Sequence, residues 1–495
     1  MNKEISKVTY LGTAITVPID TYGTISLNRK GIIMARLIPY LFKENDNQDY
    51  LNAALDTAKW ISKYEIKEET GKTWKAYPED QNGVGGTFVL GKKNFYAGSS
   101  GIGFFFLRLY QATGDKKWLD EAIEAAEYLL ANETDISYYK DVQQKINNDK
   151  NHVYGWAFSY KVGPICEGQF VYALYEETGI EKYREFAIRQ ADVFVEAAIS
   201  DENGVHWSDT RDIVGDAGGI VYLLQVYKQT GDEKYLKTAI DGGRYIEGFG
   251  HPAKNGGVYY DLYDVYAAGE GEKGTVHVNF SHGSSGTGYL WAVLYETTKD
   301  EKYLKLAKDV VAYLDGIALG DDEAVVLPYQ DHPEKGPDND KIYLGMCGGP
   351  IGTTFFFKKL YETTQDEEYL KWMNKLAHGL IKSGVPEKKS WGYWGSKCIC
   401  CGGPGALEYF VMMYEFTKDE LYKTYAKKTA DILISESTTE LTGRTWFGAW
   451  DRTKPEQVVS YLGFYIGAAG AAGALLKLYG LLEDKKLANF FEYYL

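Results

Sequence analysis

Three of the chain's five cysteines lie within four residues, in the stretch KCICCGGPG at residues 397–405. They are Cys398, Cys400 and Cys401, and a GGPG turn directly follows them. Cys347 precedes a similar turn, in CGGPIG. Cysteines grouped in this way can bind a metal, form a disulfide, act as nucleophiles or simply pack. The chemistry depends on the elements that bring these turns together.

Those turns belong to a repeat that occurs seven times from about residue 95 to the end. Each copy begins with a glycine-rich turn and continues as a nearly all-apolar helix, which should be buried. A break such as TGD or TKD follows, and then a second helix has apolar residues at i, i+3, i+4 and i+7. The first helix of each copy carries a recurring tyrosine: Tyr110, Tyr175, Tyr227, Tyr295, Tyr361, Tyr414 and Tyr479. The pattern predicts seven hairpins of a buried inner and an amphipathic outer helix.

The last repeat favours a closed ring over an open stack of hairpins. Its inner segment, GAAGAAGALLKLYG, is among the most apolar in the chain, whereas an open stack needs polar end repeats. We therefore predict an all-α fold, an (α/α)7 toroid with short β-hairpin loops on one face. Residues 95–495 would form the seven-repeat toroid. Residues 1–94 would add a further helical pair and a hairpin loop that pack on it, making one continuous domain.

Chemically reactive residues occur at two positions of the repeated turn, in three consecutive repeats. Where repeat 1 reads YAGSSG with Ala97, repeat 4 reads SHGSSG with His282. Cys347 stands one place earlier in repeat 5, and Cys400 and Cys401 fill both positions in repeat 6. In a closed ring these positions face one mouth. Three thiolates beside a histidine suit a zinc ion with one coordination position left for catalysis.

For several residues near these positions, the sequence is compatible with more than one role. Asp212, two places before the corresponding position of repeat 3, would face the mouth beside His282 or act at a helix N-terminus. For Asp216 the helix-terminal role is favoured. Cys398 lies outside the two positions and could replace one of the proposed ligands. Cys166 falls on a turn glycine of its own repeat, so packing is its expected role.

Composition excludes several classes of partner. The net charge of −15 argues against nucleic acid and against an anionic membrane surface. No apolar run approaches 18 residues, so we expect no transmembrane segment. The first residues lack the apolar core of a signal peptide, and five cysteines are too few for a disulfide framework. We expect a cytoplasmic protein with reduced thiols.

At these turns the sequence resembles the lanthionine synthetase C-like family, the cyclases of lanthipeptide biosynthesis. Its members typically show H-G-x-x-G, C-x-G-x-P-G and C-H-G-x-P-G turns, matched here by HGSSG at His282, CGGPIG at Cys347 and CCGGPG at Cys400. The segment DIVGD matches a family aspartate at Asp212. Most members have histidine at the position of Cys401. This chain looks like a C-C-G branch of the family, which has cysteine there. A basic residue that members often carry a few places before the first cysteine is not evident here, and Lys341 is the nearest one.

The resemblance implies an enzyme that adds cysteine thiolates to dehydroalanine or dehydrobutyrine in a precursor peptide, forming thioether rings. One Zn²⁺ per chain would be held by Cys347, Cys400 and Cys401. His282 would donate a proton to the enolate, and Asp212 would orient it or help deprotonate the thiol. The dehydrated peptide and a separate dehydratase are the implied partners.

Two other functions fit parts of the sequence. A carbohydrate-active toroid could pair Asp212 with Asp261 or Asp264 and use its many aromatic residues as sugar platforms. This leaves the cysteines unexplained. A non-catalytic relative could bind glutathione or a partner protein through the metal site.

Overall fold

The structure is a computed structural model that describes residues 5–10, 13–18, 44–80, 91–149, 157–208, 210–260, 276–332 and 334–489. Helices make up most of these residues. They are α1 Asn47–Ser62, α2 Ser99–Thr113, α3 Lys116–Ala131, α4 Ile136–Asp149, α5 Pro164–Thr178, α6 Glu181–Glu196, α7 Asp216–Thr230, α8 Glu233–Glu247, α9 Ser284–Thr298, α10 Glu301–Ile317, α11 Pro350–Thr364, α12 Glu367–Lys382, α13 Gly403–Thr417, α14 Glu420–Ser435 and α15 Ala468–Leu482.

The inner helices are α2, α5, α7, α9, α11, α13 and α15, and each is 15 residues long. Each begins after a glycine N-cap at the turn predicted from the sequence. The first six end at a residue in the left-handed conformation, whose amide donates to the carbonyl of the recurring tyrosine. Glycine adopts this conformation without strain at Gly114, Gly179 and Gly231. The repeat therefore fixes both ends of its buried helix.

The outer helices begin at an aspartate in most repeats. The carboxylates of Asp115, Asp232, Asp300, Asp366 and Asp419 each accept a hydrogen bond from a backbone amide in the first turn. Such a cap satisfies an amide that has no partner within the helix and stabilises the helix by about 1 kcal/mol. The T-x-D break of the sequence thus ends one helix and starts the next.

The ring closes because its first helix pairs with its last. α1 packs along α15 as the other outer helices pack along their inner partners, and α15 also packs against α2. α1 is therefore the outer helix of the seventh hairpin. A boundary between residues 94 and 95 would separate it from its partner. The predicted (α/α)7 toroid is confirmed, and the first and last of the described helices form one hairpin.

Short antiparallel strand pairs lie in the connections between the helices, except for the β1–β2 pair, which precedes α1 in the sequence. The pairs are β1 Ile5–Tyr10 with β2 Thr13–Pro18, β3 Glu65–Lys67 with β4 Lys72–Trp74, β5 Ile199–Ser200 with β6 Val205–His206, β7 Gly250–Pro252 with β8 Val258–Tyr260, β9 Val276–His277 with β12 Gln330–Asp331, β10 Leu319–Gly320 with β11 Val325–Val326, β13 Thr438–Glu440 with β14 Gly443–Thr445, and β15 Gly448–Ala449 with β16 Val458–Val459. Several follow an outer helix and pack on the next one, as β13–β14 packs on α1. A Cβ at Gly443 (φ 136°) would lie 2.2 Å from the Asp56 carbonyl oxygen, so this contact requires glycine.

A buried ion pair joins non-adjacent inner helices at the seam of the ring. The guanidinium of Arg108 on α2 bonds the carboxylate of Glu408 on α13, and both side chains are fully buried. Arg108 also donates to the carbonyl of Gly473 on α15, at 3.0 Å, and to that of Ala488, at 2.8 Å. Because α15 is rich in glycine and alanine, the long side chain can pass it to reach α13.

Candidate active site at the mouth of the ring

The loops that lead into the inner helices lie side by side, and backbone hydrogen bonds join them. We call the residues directly before the seven N-cap glycines the mouth loops. The bonds run from Phe95 N to Lys161 O (3.0 Å), Val214 N to Ser281 O (3.3 Å), Ser281 N to Cys347 O (2.9 Å), Met346 N to Cys400 O (2.8 Å), Ile399 N to Tyr465 O (3.0 Å) and Tyr465 N to Phe95 O (3.3 Å). The last bond links the seventh loop to the first, across the seam of the ring.

Two positions in each mouth loop carry the candidate site. The first, two residues before the N-cap glycine, holds Tyr96, Lys161, Ile213, Ser281, Cys347, Cys400 and Tyr465. The second, one residue before that glycine, holds Ala97, Val162, Val214, His282, Gly348, Cys401 and Ile466. Side chains at the first position meet across the mouth: Cys347 Sγ lies 3.6 Å from the Tyr465 hydroxyl. The repeat therefore brings residues far apart in sequence to one place.

Cys347 and Cys400 are the closest pair among the predicted ligands. Their sulfur atoms form a disulfide, and their Cα atoms are 5.6 Å apart. Both side chains are buried. Gly345 allows the approach, because a Cβ there would lie 2.7 Å from the carbonyl oxygen of Cys400 and 2.9 Å from the Cα of Cys401. The mouth loops of repeats 5 and 6 thus place these two sulfurs in contact.

Cys401 pairs with Cys398. The amide of Cys401 donates to Cys398 Sγ at 3.2 Å, and the Ser396 hydroxyl lies 3.0 Å from the same sulfur. Burial opposes ionisation of Cys398, but the hydrogen bonds from the Cys401 side chain, from Ser396 and from backbone amides lower its pKa. The hydrogen bond to Cys398, together with burial, raises the pKa of Cys401. Cys398 therefore belongs to the sulfur cluster, although it lies outside the two repeated positions.

The donor chemistry of this cluster fits zinc. Within the described ranges no three His, Cys, Asp or Glu side chains are arranged as a metal site, and two of the predicted ligands are bonded to each other. When that bond is reduced, Cys347, Cys400 and Cys401 present three thiolates from two adjacent loops, which is the ligand type zinc prefers. A Cα separation of 5.6 Å lets two such sulfurs reach one ion, with zinc–sulfur distances of about 2.3 Å.

His282 and Asp212 form a hydrogen-bonded pair across two mouth loops. His282 Nδ1 lies 2.9 Å from Asp212 Oδ2, and the other carboxylate oxygen accepts the Gly215 amide at 2.8 Å. The Asp212 side chain is buried, at 4% exposure, whereas that of His282 is 36% exposed. A carboxylate only accepts hydrogen bonds, so Nδ1 carries a proton and Nε2 is the atom that can exchange one. The structure places both predicted residues together.

His277 lies next to this pair and is a buried neutral group. Its ring is 6.4 Å from that of His282 and 5.4 Å from that of Tyr329. Burial, together with the neighbouring His282, lowers the pKa of His277 to about 3. It therefore stays uncharged at neutral pH and contributes shape rather than charge to the mouth.

Lys161 is a member of the site that the sequence analysis missed. It occupies the first repeated position in repeat 2, and its side chain is 1% exposed. Its ammonium lies 3.8 Å from Cys347 Sγ and 4.2 Å from the centre of the Tyr465 ring. Burial lowers the pKa of Lys161 to about 7. Lys341, the basic residue singled out from the sequence, is half-exposed and pairs with Asp338 at 3.1 Å.

A second missed residue, Arg452, forms one wall of the mouth with aromatic rings. Its guanidinium lies 3.9 Å from the ring centre of Trp391 and between 5.3 and 5.6 Å from those of Tyr343, Trp394 and Tyr329. Arg452 Nε is buried and bonds to no atom of the described residues. The hydroxyl of Tyr343 interacts with Cys401, which links this wall to the sulfur cluster. Stacked rings hold the guanidinium in place for a polar ligand.

The remaining aspartates have other positions. Asp261 and Asp264, the proposed partners of Asp212 in a carbohydrate enzyme, lie outside the described residues. Asp216 is the first residue of α7, but its carboxylate accepts the amides of Trp207 and Ser208 at 3.1 and 2.9 Å. It therefore holds the preceding loop. Gly215 is the N-cap, and Asp216 lies in the first turn of α7, the helix-terminal position expected from the sequence.

The fold and the mouth define a helical toroid with a cysteine-rich centre and a histidine–aspartate pair. A profile of the lanthionine synthetase C-like protein family matches residues 89–492. The chain belongs to this family. Among curated protein sequences, none matches the chain significantly.

Three solved structures are similar to the chain at low sequence identity, and nisin cyclase shares its fold. Nisin cyclase is 13% identical and has a TM-score of 0.59, with 91% of this chain and 98% of that chain covered. The Lin0763 protein from Listeria innocua is 14% identical, with a TM-score of 0.44 and coverages of 88% and 97%. Cellobiose 2-epimerase from Spirochaeta thermophila is 15% identical, with a TM-score of 0.44 and coverages of 70% and 97%. In the part of the chain that the structure describes, no helix is long and apolar enough to cross a bilayer.

Proposed function

We propose that the protein is a zinc-dependent lanthipeptide cyclase, which closes thioether rings in a dehydrated precursor peptide. The observation that carries the proposal is the meeting of the His282–Asp212 pair and the cysteine cluster in consecutive mouth loops. Membership of the lanthionine synthetase C-like family and the shared fold with nisin cyclase support it. A separate dehydratase would supply the substrate, and the reducing cytoplasm would keep the cysteines as thiols.

Cys347, Cys400 and Cys401 would hold one zinc ion per chain. Zinc bound there would supply one chemical effect: a substrate thiol at the fourth position is kept as thiolate, its nucleophilic form, at neutral pH. The chain's own residues then act on the substrate. The loops fix the cysteines through the backbone bonds that Cys400 O accepts from Met346 and Cys347. Buried surroundings exclude water from the sulfurs.

His282 would manage the proton of the reaction. The substrate thiolate adds to the β-carbon of the dehydro residue, a carbon–sulfur bond forms, and the double-bond electrons move to the enolate. His282 takes the proton lost by the substrate thiol at Nε2 and then gives it to the α-carbon, so the reaction has no net proton change. Asp212 holds Nδ1 and stabilises the charged imidazolium between these steps.

Arg452 and its aromatic neighbours would bind the peptide. A guanidinium held by rings can donate to backbone carbonyls or to a carboxylate of the substrate. Trp391 is 44% exposed beside it, which gives the peptide an apolar surface to lie on. The wall lies on the cysteine side of the mouth, through Tyr343. Binding there would bring the peptide to the sulfurs.

Cyclisation can be tested with a synthetic peptide that contains one dehydroalanine and one cysteine. Ring closure leaves the mass unchanged but consumes the thiol, so alkylation with N-ethylmaleimide distinguishes open from closed peptide. We expect the reduced, zinc-loaded protein to protect the peptide from alkylation. The His282→Asn variant should give no such protection, whereas the His378→Asn variant, changed on outer helix α12, should protect the peptide as the wild-type protein does. Unchanged ring closure by His282→Asn would contradict the role of His282, and no closure by the wild-type protein would contradict the proposed activity.

Metal content tests the ligand set separately. Protein purified under reducing conditions should contain about one zinc per chain. Cys347→Ser, Cys400→Ser and Cys401→Ser should each lose it, whereas Cys166→Ser, whose thiol donates to the Gly163 carbonyl, should retain it. If Cys398→Ser loses zinc and Cys401→Ser retains it, Cys398 is the third zinc ligand in place of Cys401. Absence of zinc from the wild-type protein would overturn the proposal.

A further inference from the structure

We infer that Lys161 is the charge partner of the cysteine cluster: its ammonium donates to Cys347 Sγ and offsets the negative charge left by three thiolates around one dication. This inference rests on the proposed zinc site. It makes Lys161 a positioning residue, which acts through Cys347 rather than on the peptide.

The geometry carries the inference. Lys161 stands at the same repeated position as Cys347 and Cys400, so the fold aims its side chain at the place where theirs meet. Its backbone is fixed on both sides, since the Ser159 hydroxyl accepts its amide at 3.2 Å and Phe95 donates to its carbonyl. The rings of Tyr465 and Tyr160 flank the ammonium at 4.2 and 5.0 Å. The cation is thus held against the sulfur.

Charge counting gives the reason for a cation there. Three thiolates and one zinc ion sum to −1, and a substrate thiolate makes −2. The Asp212 carboxylate adds a further negative charge on the same side of the mouth, where it acts on Lys161. An uncompensated charge in a buried site is costly, and an ammonium in contact with the cluster removes much of that cost.

Nearby lysines have other partners. Lys341 pairs with Asp338, Lys397 with Glu436, and Lys93 lies 3.4 Å from Glu167. Of the lysines in the described mouth loops, Lys161 is the one whose ammonium bonds to a cysteine sulfur. That sulfur belongs to the Cys347–Cys400 disulfide here, and reduction would give it the negative charge that a buried ammonium can offset.

Zinc retention tests the inference without relying on activity. Reduced, zinc-loaded protein is titrated with a chromogenic chelator, using Lys161→Met, Lys161→Arg and, as a matched control, Lys341→Met. We expect Lys161→Met to release zinc at about 10- to 100-fold lower chelator concentration, as for other residues that support metal ligands. Lys161→Arg, which keeps the charge, should restore most of the retention, and Lys341→Met should match the wild-type protein.

A spectroscopic readout separates charge from shape. In Co²⁺-substituted protein, loss of the N–H···S contact should shift the sulfur-to-cobalt charge-transfer band of Lys161→Met to longer wavelength, and Lys161→Arg should reverse the shift. An unshifted band with wild-type zinc retention would overturn the role of Lys161. Equal loss in Lys161→Met and Lys161→Arg would also overturn it, since shape alone would then decide. A wild-type protein without zinc would overturn the proposed site itself, and this inference with it.

Discussion

Asp212 and His282 are 70 residues apart in sequence, yet the aspartate carboxylate bonds the histidine ring at 2.9 Å. The same carboxylate accepts the Gly215 amide, so the turn that starts α7 also orients the histidine on the next mouth loop. The pair is therefore positioned by the repeat rather than by flexible loops.

Replacing Asp212 with Asn should lower the cyclisation rate by roughly 10²- to 10⁴-fold, because an amide can present its NH₂ group to Nδ1 and favour the wrong tautomer. Zinc content should stay the same, since Asp212 is not among the proposed ligands. Single-turnover alkylation assays and metal analysis measure the two effects. Asp241→Asn, on the outer surface, serves as the control. A rate within twofold of wild type would rule out the orienting role.

Replacing Arg452 with Gln should raise KM for the peptide several-fold and change kcat little, because the guanidinium would bind the substrate equally in its ground and transition states. Arg189→Gln, which removes a surface arginine paired with Glu133, provides the comparison. Steady-state kinetics with the model peptide give both constants. A fall in kcat at constant KM would instead place Arg452 at the reacting atoms.

Replacing Arg108 with Met should destabilise the protein by about 3–5 kcal/mol, because Glu408 is left buried without its partner. The double variant Arg108→Met, Glu408→Leu should recover much of this loss. Urea unfolding of both variants measures the difference. Lys305→Met, which breaks an exposed pair with Asp309, should cost less than about 1 kcal/mol. If the loss of unfolding free energy in the double variant equals the sum of the losses in the two single variants, the two residues do not act as a pair.

Glu167 should make stability depend on pH. Burial raises the pKa of this carboxyl to about 7, although Lys93 lowers it, so the folded protein keeps a proton that the unfolded chain has lost. The free energy of unfolding should therefore fall as the pH rises from about 4.5 to 7, by about 3 kcal/mol at most.

Chemical denaturation of Glu167→Gln at several pH values checks this dependence. The variant should lose less stability than the wild-type protein between pH 5 and 8. Glu177→Gln, an exposed glutamate bonded by Gln111, should follow the wild-type curve. Parallel curves for wild type and Glu167→Gln would contradict the shift.

The fold could be predicted because its signal is repeated. The recurring tyrosine and the turn glycines define each inner helix, and the same alignment placed His282, Cys347, Cys400 and Cys401 at adjacent positions. The contact between Asp212 and His282 follows from the same logic. Asp216 does lie at the start of its helix, as expected, but its contacts could not be predicted, because the backbone amides that its carboxylate accepts lie in an irregular loop before the helix.

Lys161 occupies the same repeated position as Cys347 and Cys400, but its role was not predicted because lysine side chains are usually exposed. Its burial results from contacts with Tyr465 and Cys347, which come from distant repeats. Arg452 offers even less signal, since its aromatic neighbours come from two other connections between helices. The pairing of Cys398 with Cys401 likewise depends on a local backbone path that residue types alone do not give.

The pairing of α1 with α15 sets an order for folding during synthesis. The apolar face of α1, with Trp60 and Ile61, leaves the ribosome before the other described helices, and its partner α15 leaves it after them. Throughout translation the ring is an open arc with an unpaired outer helix at one end. The final step of ring closure joins the first described helix to the last, and it also brings the Tyr465 amide to Phe95 at the mouth. The mouth that holds the cysteines is therefore completed only after α15 has left the ribosome.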